Sequence, residues 1–382
     1  MKNAALVAHI RQLCCLGLGG RAIMPALLNA LRELLPFDAA EFAWLDARGD
    51  LANLYAEPML PDDILQFYFR QSDGTAEHPA SATFRTRAAQ ADPVTTFSVT
   101  DALRRTEFYR HVLHPIGAQH VLFCVIRDRD RPLGQLSLYR AGRRSPFGLP
   151  ERHAIQAIAG YIAHGLDDSL AHTRYGKADA SYRDTDQQAM LTLDRNGTVQ
   201  HCSSAARRML LFVALDSVNR GTVDQQDAAI RVLMRELATQ LLAVFTSSDD
   251  SAKTPPGIIV TNRWGRFVLR AYWLTDNIHG SDALIGVQLR RQEPTLLQLS
   301  QAMRRLALSP QQKEVGLLVA QGKSNPEIAG VLGVSLNTAN YHVKQLFAKL
   351  NAHERSEVAP KLLGTGDPAF RHHAAPLVTA SG

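Results

Sequence analysis

Between Ser309 and Leu350 the chain gives three helix-start signals in close succession, with glycines between them. Ser309-Pro310-Gln311-Gln312 offers a capping hydroxyl, a proline suited to the first helical position and an amide placed to close a capping box. Val315, Leu318 and Val319 follow at helical spacing, and Gly322 supplies a stop. Ser324-Asn325-Pro326-Glu327 repeats the device ahead of Ile328, Val331 and Leu332. Gly333-Val334 then turns the chain, and Ser335 caps a third helix. Its apolar residues Leu336, Ala339, Val343, Leu346 and Leu350 form one inward stripe. Several capped helices in so short a segment can bury their stripes only against one another. The spacing therefore predicts a compact all-α domain, and the pair joined at Gly333 predicts a helix-turn-helix.

The opposite face of the third helix carries Asn337, Asn340, Tyr341, Lys344 and Gln345. Amides can pair with adenine through one donor and one acceptor, a lysine reaches guanine or phosphate, and a phenol can meet a thymine methyl or a phosphate. Lys323 and Lys349 flank this face, and helix N-termini add free N–H groups suited to phosphates. The same mixture also suits an ordinary solvated face. His342 borders the buried stripe and reads as packing.

The stretch LSPQQKEVGLLVAQGKSNPEIAGVLGVSLNTANYHVKQLFAKL resembles the DNA-binding domain of LuxR-type (GerE-type) transcription factors, over about residues 306–362. Glu314, Gly322, Asn325, Glu327, Ile328, Ala329, Leu332, Ser335, Thr338, His342, Val343, Lys349 and Leu350 fall in register with that pattern. The resemblance implies that the third helix enters the major groove of double-stranded DNA. Lys323, Ser335, Asn337, Thr338, Asn340, Tyr341, Lys344, Gln345 and Lys349 are then the DNA-binding set. It also implies that a fourth helix, Glu354 to Leu363, pairs two protomers on a palindromic site. Two departures stand out: Ala339-Asn340 replaces the usual Val-Lys, and Pro360 interrupts the fourth helix.

The whole chain has 382 residues, which predicts two or three domains, and its 46% hydrophobic and 20% charged content is ordinary for globular protein. A formal charge of +6 suits an anionic partner. Cys14, Cys15, Cys124 and Cys202 lack zinc-site spacing, so reduced thiols and no metal are expected. His9, Arg11 and Gln12 interrupt the first apolar run, arguing against a signal peptide, and no run reaches the ~18 residues of a membrane helix. A cytoplasmic protein without a membrane partner follows as the expectation. No G-x-S-x-G, H-E-x-x-H or phosphate-cradling glycine loop occurs, so neither catalytic residues nor a cofactor is expected.

The fold class expected is multidomain: two α+β domains followed by the helical one. Helix 22–35, strands 40–46 and 51–57, a helix from Pro61 to Gln71, strands 120–128 and 133–141 and a helix from Glu151 to Leu170 make the first. A hairpin at 190–203 turning on Asn196-Gly197, helices 204–212 and 227–245, and strands 258–262, 267–274 and 283–291 make the second. The segment EFYRHVLHPIGAQHVLFCVIRDRDRPLGQLSLYRAGRRSPFGLPERHAIQAIAGYIAHGL (107–166) resembles the GAF-like sensor half of some LuxR-type regulators, and MLTLDRNGTVQHCSSAARRML with the later strands resembles a PAS domain. The expected boundaries are 1–172 GAF-like, 173–186 linker, 187–293 PAS-like, 294–305 helical connector with Met303 and Leu306 on its apolar side, 306–364 helix-turn-helix, and 365–382 a disordered tail. Phe42, Trp44, Tyr55, Phe67, Phe108, Tyr109 and Phe123 either line an effector pocket or are simply core. Two functional readings stand: a homodimeric, effector-modulated transcription regulator, or a PAS-paired interaction module whose DNA-binding domain has decayed.

Overall fold

In a computed structural model, residues 2–58, 67, 82–166, 181–214, 220–246, 255–274 and 284–364 are described. They form two compact units, one ending at Pro294 and one beginning at Thr295.

The first unit holds two five-stranded antiparallel sheets with the same strand order. In the first sheet β1 (Ala39–Leu45), β2 (Leu51–Glu57), β3 (Val94–Ser98), β4 (Ala118–Asp128) and β5 (Arg131–Ala141) lie in the order β2-β1-β5-β4-β3. Helices α1 (Lys2–Cys14), α2 (Gly20–Leu34) and α5 (Leu149–Leu166) pack together, and α5 lies on β4. The packing is close: a Cβ at Gly165 would meet Cys14 Cα at 2.9 Å. Short helices α3 (Phe84–Ala88) and α4 (Asp101–Arg104), with a π turn at Tyr109–Leu113, connect the strands. Ala39, Ala43 and Leu45 share a cluster with Phe67, Phe84, Phe108, Phe123 and Tyr139, whereas Phe42 and Trp44 alternate with them and take the other face.

In the second sheet β6 (Tyr182–Leu193), β7 (Val199–Cys202), β8 (Gly257–Asn262), β9 (Gly265–Trp273) and β10 (Ile285–Pro294) lie in the order β7-β6-β10-β9-β8. Helices α6 (Ser204–Ala214) and α7 (Arg220–Thr246) accompany them. The β6–β7 hairpin closes on Asp194, whose Oδ1 accepts from the amides of Asn196 and Thr198, both at 2.9 Å. Of the pair on which the hairpin turns, Gly197 takes a positive φ, at 79°, and Asn196 does not. A Cβ at Gly197 would stand 2.5 Å from Arg235 Cα, so glycine is required for close approach as well as for the turn.

Several boundaries shift from the sequence reading. The expected linker 173–186 ends in strand, because Tyr182, Arg183 and Asp184 pair with Pro294, Glu293 and Gln292. Those residues are polar because their strand end is largely exposed, which hides the alternation. β10 likewise runs on through Pro294. The edge strand β3 went unread, because VTTFS pairs only with β4 and is only partly buried. The helix expected at Pro61–Gln71, apart from Phe67, and the tail 365–382 lie outside the described residues, as do residues 167–180.

The second unit comprises α8 (Thr295–Arg304), α9 (Pro310–Ala320), α10 (Asn325–Leu332), α11 (Leu336–Leu350), a 3-10 turn at Arg355–Glu357 and α12 (Val358–Leu362). Met303 is fully buried and Gly316 admits its sulfur; a Cβ there would meet Sδ at 2.8 Å. Leu306, expected on the same apolar side, is instead 36% exposed. It lies two residues past Arg304, the end of α8, and so leaves the helical stripe.

Candidate nucleic-acid interface

Each of the three helices predicted from its cap begins on that cap. Ser309 Oγ accepts from Gln312 N at 3.2 Å while Gln312 Oε1 accepts from Ser309 N at 3.0 Å. Ser324 and Glu327 close the same box at 3.4 and 2.8 Å. Ser335 Oγ accepts from Thr338 N at 3.1 Å, and the two hydroxyls lie 2.8 Å apart. Gly333 adopts the left-handed conformation, φ 63°, that lets α10 end and α11 start within a few residues.

Ala339 and Leu346 are fully buried and Val343 nearly so, which fixes the rotation of α11. Leu336 departs from the expected stripe at 47% exposed. Side chains lean toward the helix N-terminus, and in the first turn there is no preceding turn to lean against. The rotation leaves Asn337, Tyr341 and Lys344 exposed, with Tyr341 at 59%; Thr338, Asn340 and Gln345 are half-buried. Tyr341 also packs edge-on against His342, ring centroids 5.5 Å apart. No acidic residue occurs in α11, and Lys344 is unpaired among the described residues.

The other predicted cations are engaged elsewhere. Lys323 Nζ lies 3.4 Å from Glu327 Oε1, and this carboxyl is held below its usual range chiefly by the Ser324 amide. Lys349, expected to meet the DNA backbone, donates to Ala307 O at 2.6 Å and to Gln312 Oε1 at 2.9 Å. It ties the end of α11 to the start of α9. The sequence reading missed Arg355, whose guanidinium donates to the Lys323 carbonyl and to Asn325 Oδ1. Its partners lie 32 and 30 residues away, so no local pattern marks it. The expected fourth helix is broken into the 3-10 turn and the five-residue α12, which contains Pro360.

The seven aromatic residues nominated for an effector pocket do not share one surface. Phe42, Trp44 and Tyr55 join an aromatic group that links the two sheets. Tyr55 stacks on Phe212 at 5.7 Å and on Trp264 at 5.8 Å, and Trp44 meets Trp264 edge-on at 5.5 Å. The Tyr55 hydroxyl donates to the Glu57 carboxylate, and burial pushes the phenol pKa well up. Phe67, Phe108 and Phe123 lie on the opposite face, with Tyr109 packed against them. That face also buries Glu41, Gln135, Ser137 and Tyr139. Buried Arg87 lies 4.1 Å over the Phe123 ring and donates to Gln135 Oε1 at 3.2 Å.

Residues 306–361 match the family described as GerE, bacterial regulatory proteins of the luxR family. The regulatory protein SdiA of Escherichia coli is 40% identical over 58 residues, 15% of this chain and 24% of SdiA. The transcriptional activator protein AnoR of Acinetobacter nosocomialis is 30% identical over 95 residues, 25% of this chain and 36% of AnoR. The chain thus spans about a fifth to a third of the length of the curated relatives it matches. Among solved structures, the GAF domain of the cyanobacteriochrome TePixJ aligns at 17% identity and a TM-score of 0.25, covering 36% of this chain and 82% of that one. A score this low carries no weight on the architecture upstream.

Proposed function

We propose that this chain, whose residues 306–361 are a LuxR-family helix-turn-helix domain, is a sequence-specific transcriptional regulator that places α11 in the major groove. The supporting observation is the exposed face of α11. Asn337, Tyr341 and Lys344 stand outward on a helix without acidic residues, each able to reach a base edge or a phosphate. A decayed interaction module would have no reason to keep on one helix face a lysine without a partner among the described residues beside two hydrogen-bonding side chains, so the alternative is not favoured.

The upstream unit then supplies the signal. We read its two sheet domains as a GAF-like and a PAS-like module within the boundaries expected from sequence, the linker shortened at its C-terminal end. A small effector would sit on the first-sheet face bearing Phe108 and Phe123, where buried Arg87, Gln135 and Ser137 offer polar contacts amid rings. Such an effector acts only by binding one arrangement of the chain better than another. The working unit is taken as a cytoplasmic homodimer on a palindrome. Among the described residues no helix is long and apolar enough to cross a membrane.

The test is selection from random double-stranded DNA with the full chain, followed by binding curves on the recovered site. Lys344→Ala is expected to weaken binding to all sequences and to lower the slope of log affinity against log salt by about one. If wild type and Lys344→Ala bound every fragment with the same affinity and slope, the groove assignment would be wrong.

A further inference from the structure

Asn325, Asn340 and Arg355 come from the start of α10, the middle of α11 and the 3-10 turn before α12, and they form one hydrogen-bonded line. Arg355 Nη2 donates to Asn325 Oδ1 at 2.6 Å, and Asn325 Nδ2 donates to Asn340 Oδ1 at 2.7 Å. The other guanidinium nitrogen, Nη1, donates to the Lys323 carbonyl, which anchors the arginine on backbone.

The sense of this line follows from the chemistry of its first member. A guanidinium has only donors. Asn325 must therefore turn its oxygen to Arg355, which leaves its NH₂ for Asn340. Asn340 must in turn direct its oxygen to Asn325. The oxygen and nitrogen of an amide point apart, so the end that Asn340 turns away from Asn325 is its Nδ2. An unconstrained asparagine reads adenine by donating to N7 and accepting from N6 at once. Held this way, Asn340 has one lone pair of its oxygen engaged and that oxygen turned toward Asn325, which leaves Nδ2 as the atom best placed to meet a base.

We propose that Asn340 is a specificity-determining residue with donor-only polarity, set by a relay from Arg355 through Asn325. It reads a base-edge acceptor, guanine O6 or N7, thymine O4 or adenine N7, and forgoes the bidentate contact that would single out adenine. The proposal rests on the DNA-binding reading above. It adds a dependence that the recognition helix alone does not contain: the polarity of one of its side chains is decided by Asn325, 15 residues before it, and by Arg355, which bonds to Asn325 from 30 residues beyond that residue.

Asn325→Asp makes the claim testable, because a carboxylate can accept from Arg355 and from Asn340 but cannot donate. In that variant Asn340 must turn Nδ2 inward and present its oxygen. Full-length wild type, Asn325→Asp and Asn340→Ala are each carried through selection from random duplex DNA, with circular dichroism confirming helix content. Asn340→Ala is expected to lose preference at one position of each half-site by about tenfold, the scale of one good base contact. Asn325→Asp is expected to move that same position to a donor-bearing base, adenine or cytosine, with the other positions and the salt slope unchanged. Asn325→Ala serves if the aspartate variant misfolds; it releases Asn340 and shifts the position toward adenine. Wild-type preference in Asn325→Asp, or in Asn325→Ala where that stands in, overturns the relay. A loss in Asn340→Ala that is uniform across sequences, marking a phosphate contact, or no change there, overturns base readout. Recovery of no sequence by wild type would instead sink the regulator reading itself.

Discussion

Two lysines of α11 show how much one residue's surroundings decide. In sequence, Lys344 and Lys349 are equivalent candidates for DNA. In the structure Lys344 has no partner among the described residues, whereas Lys349 bonds to Ala307 and Gln312, 42 and 37 residues back. The helical period reveals the face a residue occupies but not a partner reached across the domain. Lys349→Ala is expected to lower the stability of the C-terminal unit by about 1 kcal/mol, the net value of a hydrogen-bonded group near the surface, and to leave the salt slope of DNA binding unaltered. Lys344→Ala should do the reverse, and thermal melts alongside salt titrations separate the two. Glu357 makes a further residue-scale test. The Lys361 ammonium and then the His353 amide hold its carboxyl down to about 2, against an ordinary 4.5. Because the folded value is depressed, the contribution of these bonds is fully present above pH 4.5 and is lost as pH falls toward 2. The carboxyl carbon resonance of Glu357 should titrate near pH 2; a midpoint near 4.5 would show the bonds absent.

At the scale of elements, legibility followed local chemistry. Ser309, Ser324 and Ser335 announced their helices because a cap, its amide partner and the first turn all lie within four residues. The long strands β4 and β5 were readable from their apolar content, while β3 and the start of β6 were not. Partly exposed, polar strand residues are specified by their hydrogen-bonded neighbour rather than by a pattern of their own. The aromatic group joining the two sheets was legible only as a list of large rings. Trp264, 2% exposed in the β8–β9 turn, meets Trp44, Tyr55 and Phe212, and Asn262 Nδ2 donates to Phe212 O at 2.7 Å from the same turn. Arg291 on β10 ties back to this turn through the Trp264 carbonyl at 2.9 Å. Trp264→Ala is expected to cost the first unit about 3 kcal/mol, as truncation of a buried aromatic does. Denaturant melts read the loss, and an unchanged midpoint would mean that the rings do not hold the sheets together.

For the whole molecule, the fold class was foreseeable in outline: two α+β sheets, then a small helical domain. That both sheets share one strand order was not, because order depends on pairings between strands far apart in sequence. Thiol chemistry gives an inexpensive check on this arrangement. Cys14 and Cys124 are buried, and burial pushes the Cys124 thiol up to about 12 and that of Cys14 higher still. Cys202 is exposed at the end of β7. Iodoacetamide at pH 8 should therefore modify Cys202 well before Cys14 or Cys124, and early labelling of either buried thiol, read by peptide mass spectrometry, would contradict the packing.

The central claim is that the exposed side of α11 faces bases in the major groove, and it can be probed by proximity. A photoreactive benzoylphenylalanine is placed at Tyr341, and in a control at exposed Val232 on α7. Each protein is irradiated on a duplex recovered by selection. The account predicts a covalent protein–DNA adduct from position 341 that maps to the selected bases, and none from position 232. Adducts from position 341 that form only within protein, with the DNA left unmodified, would contradict it.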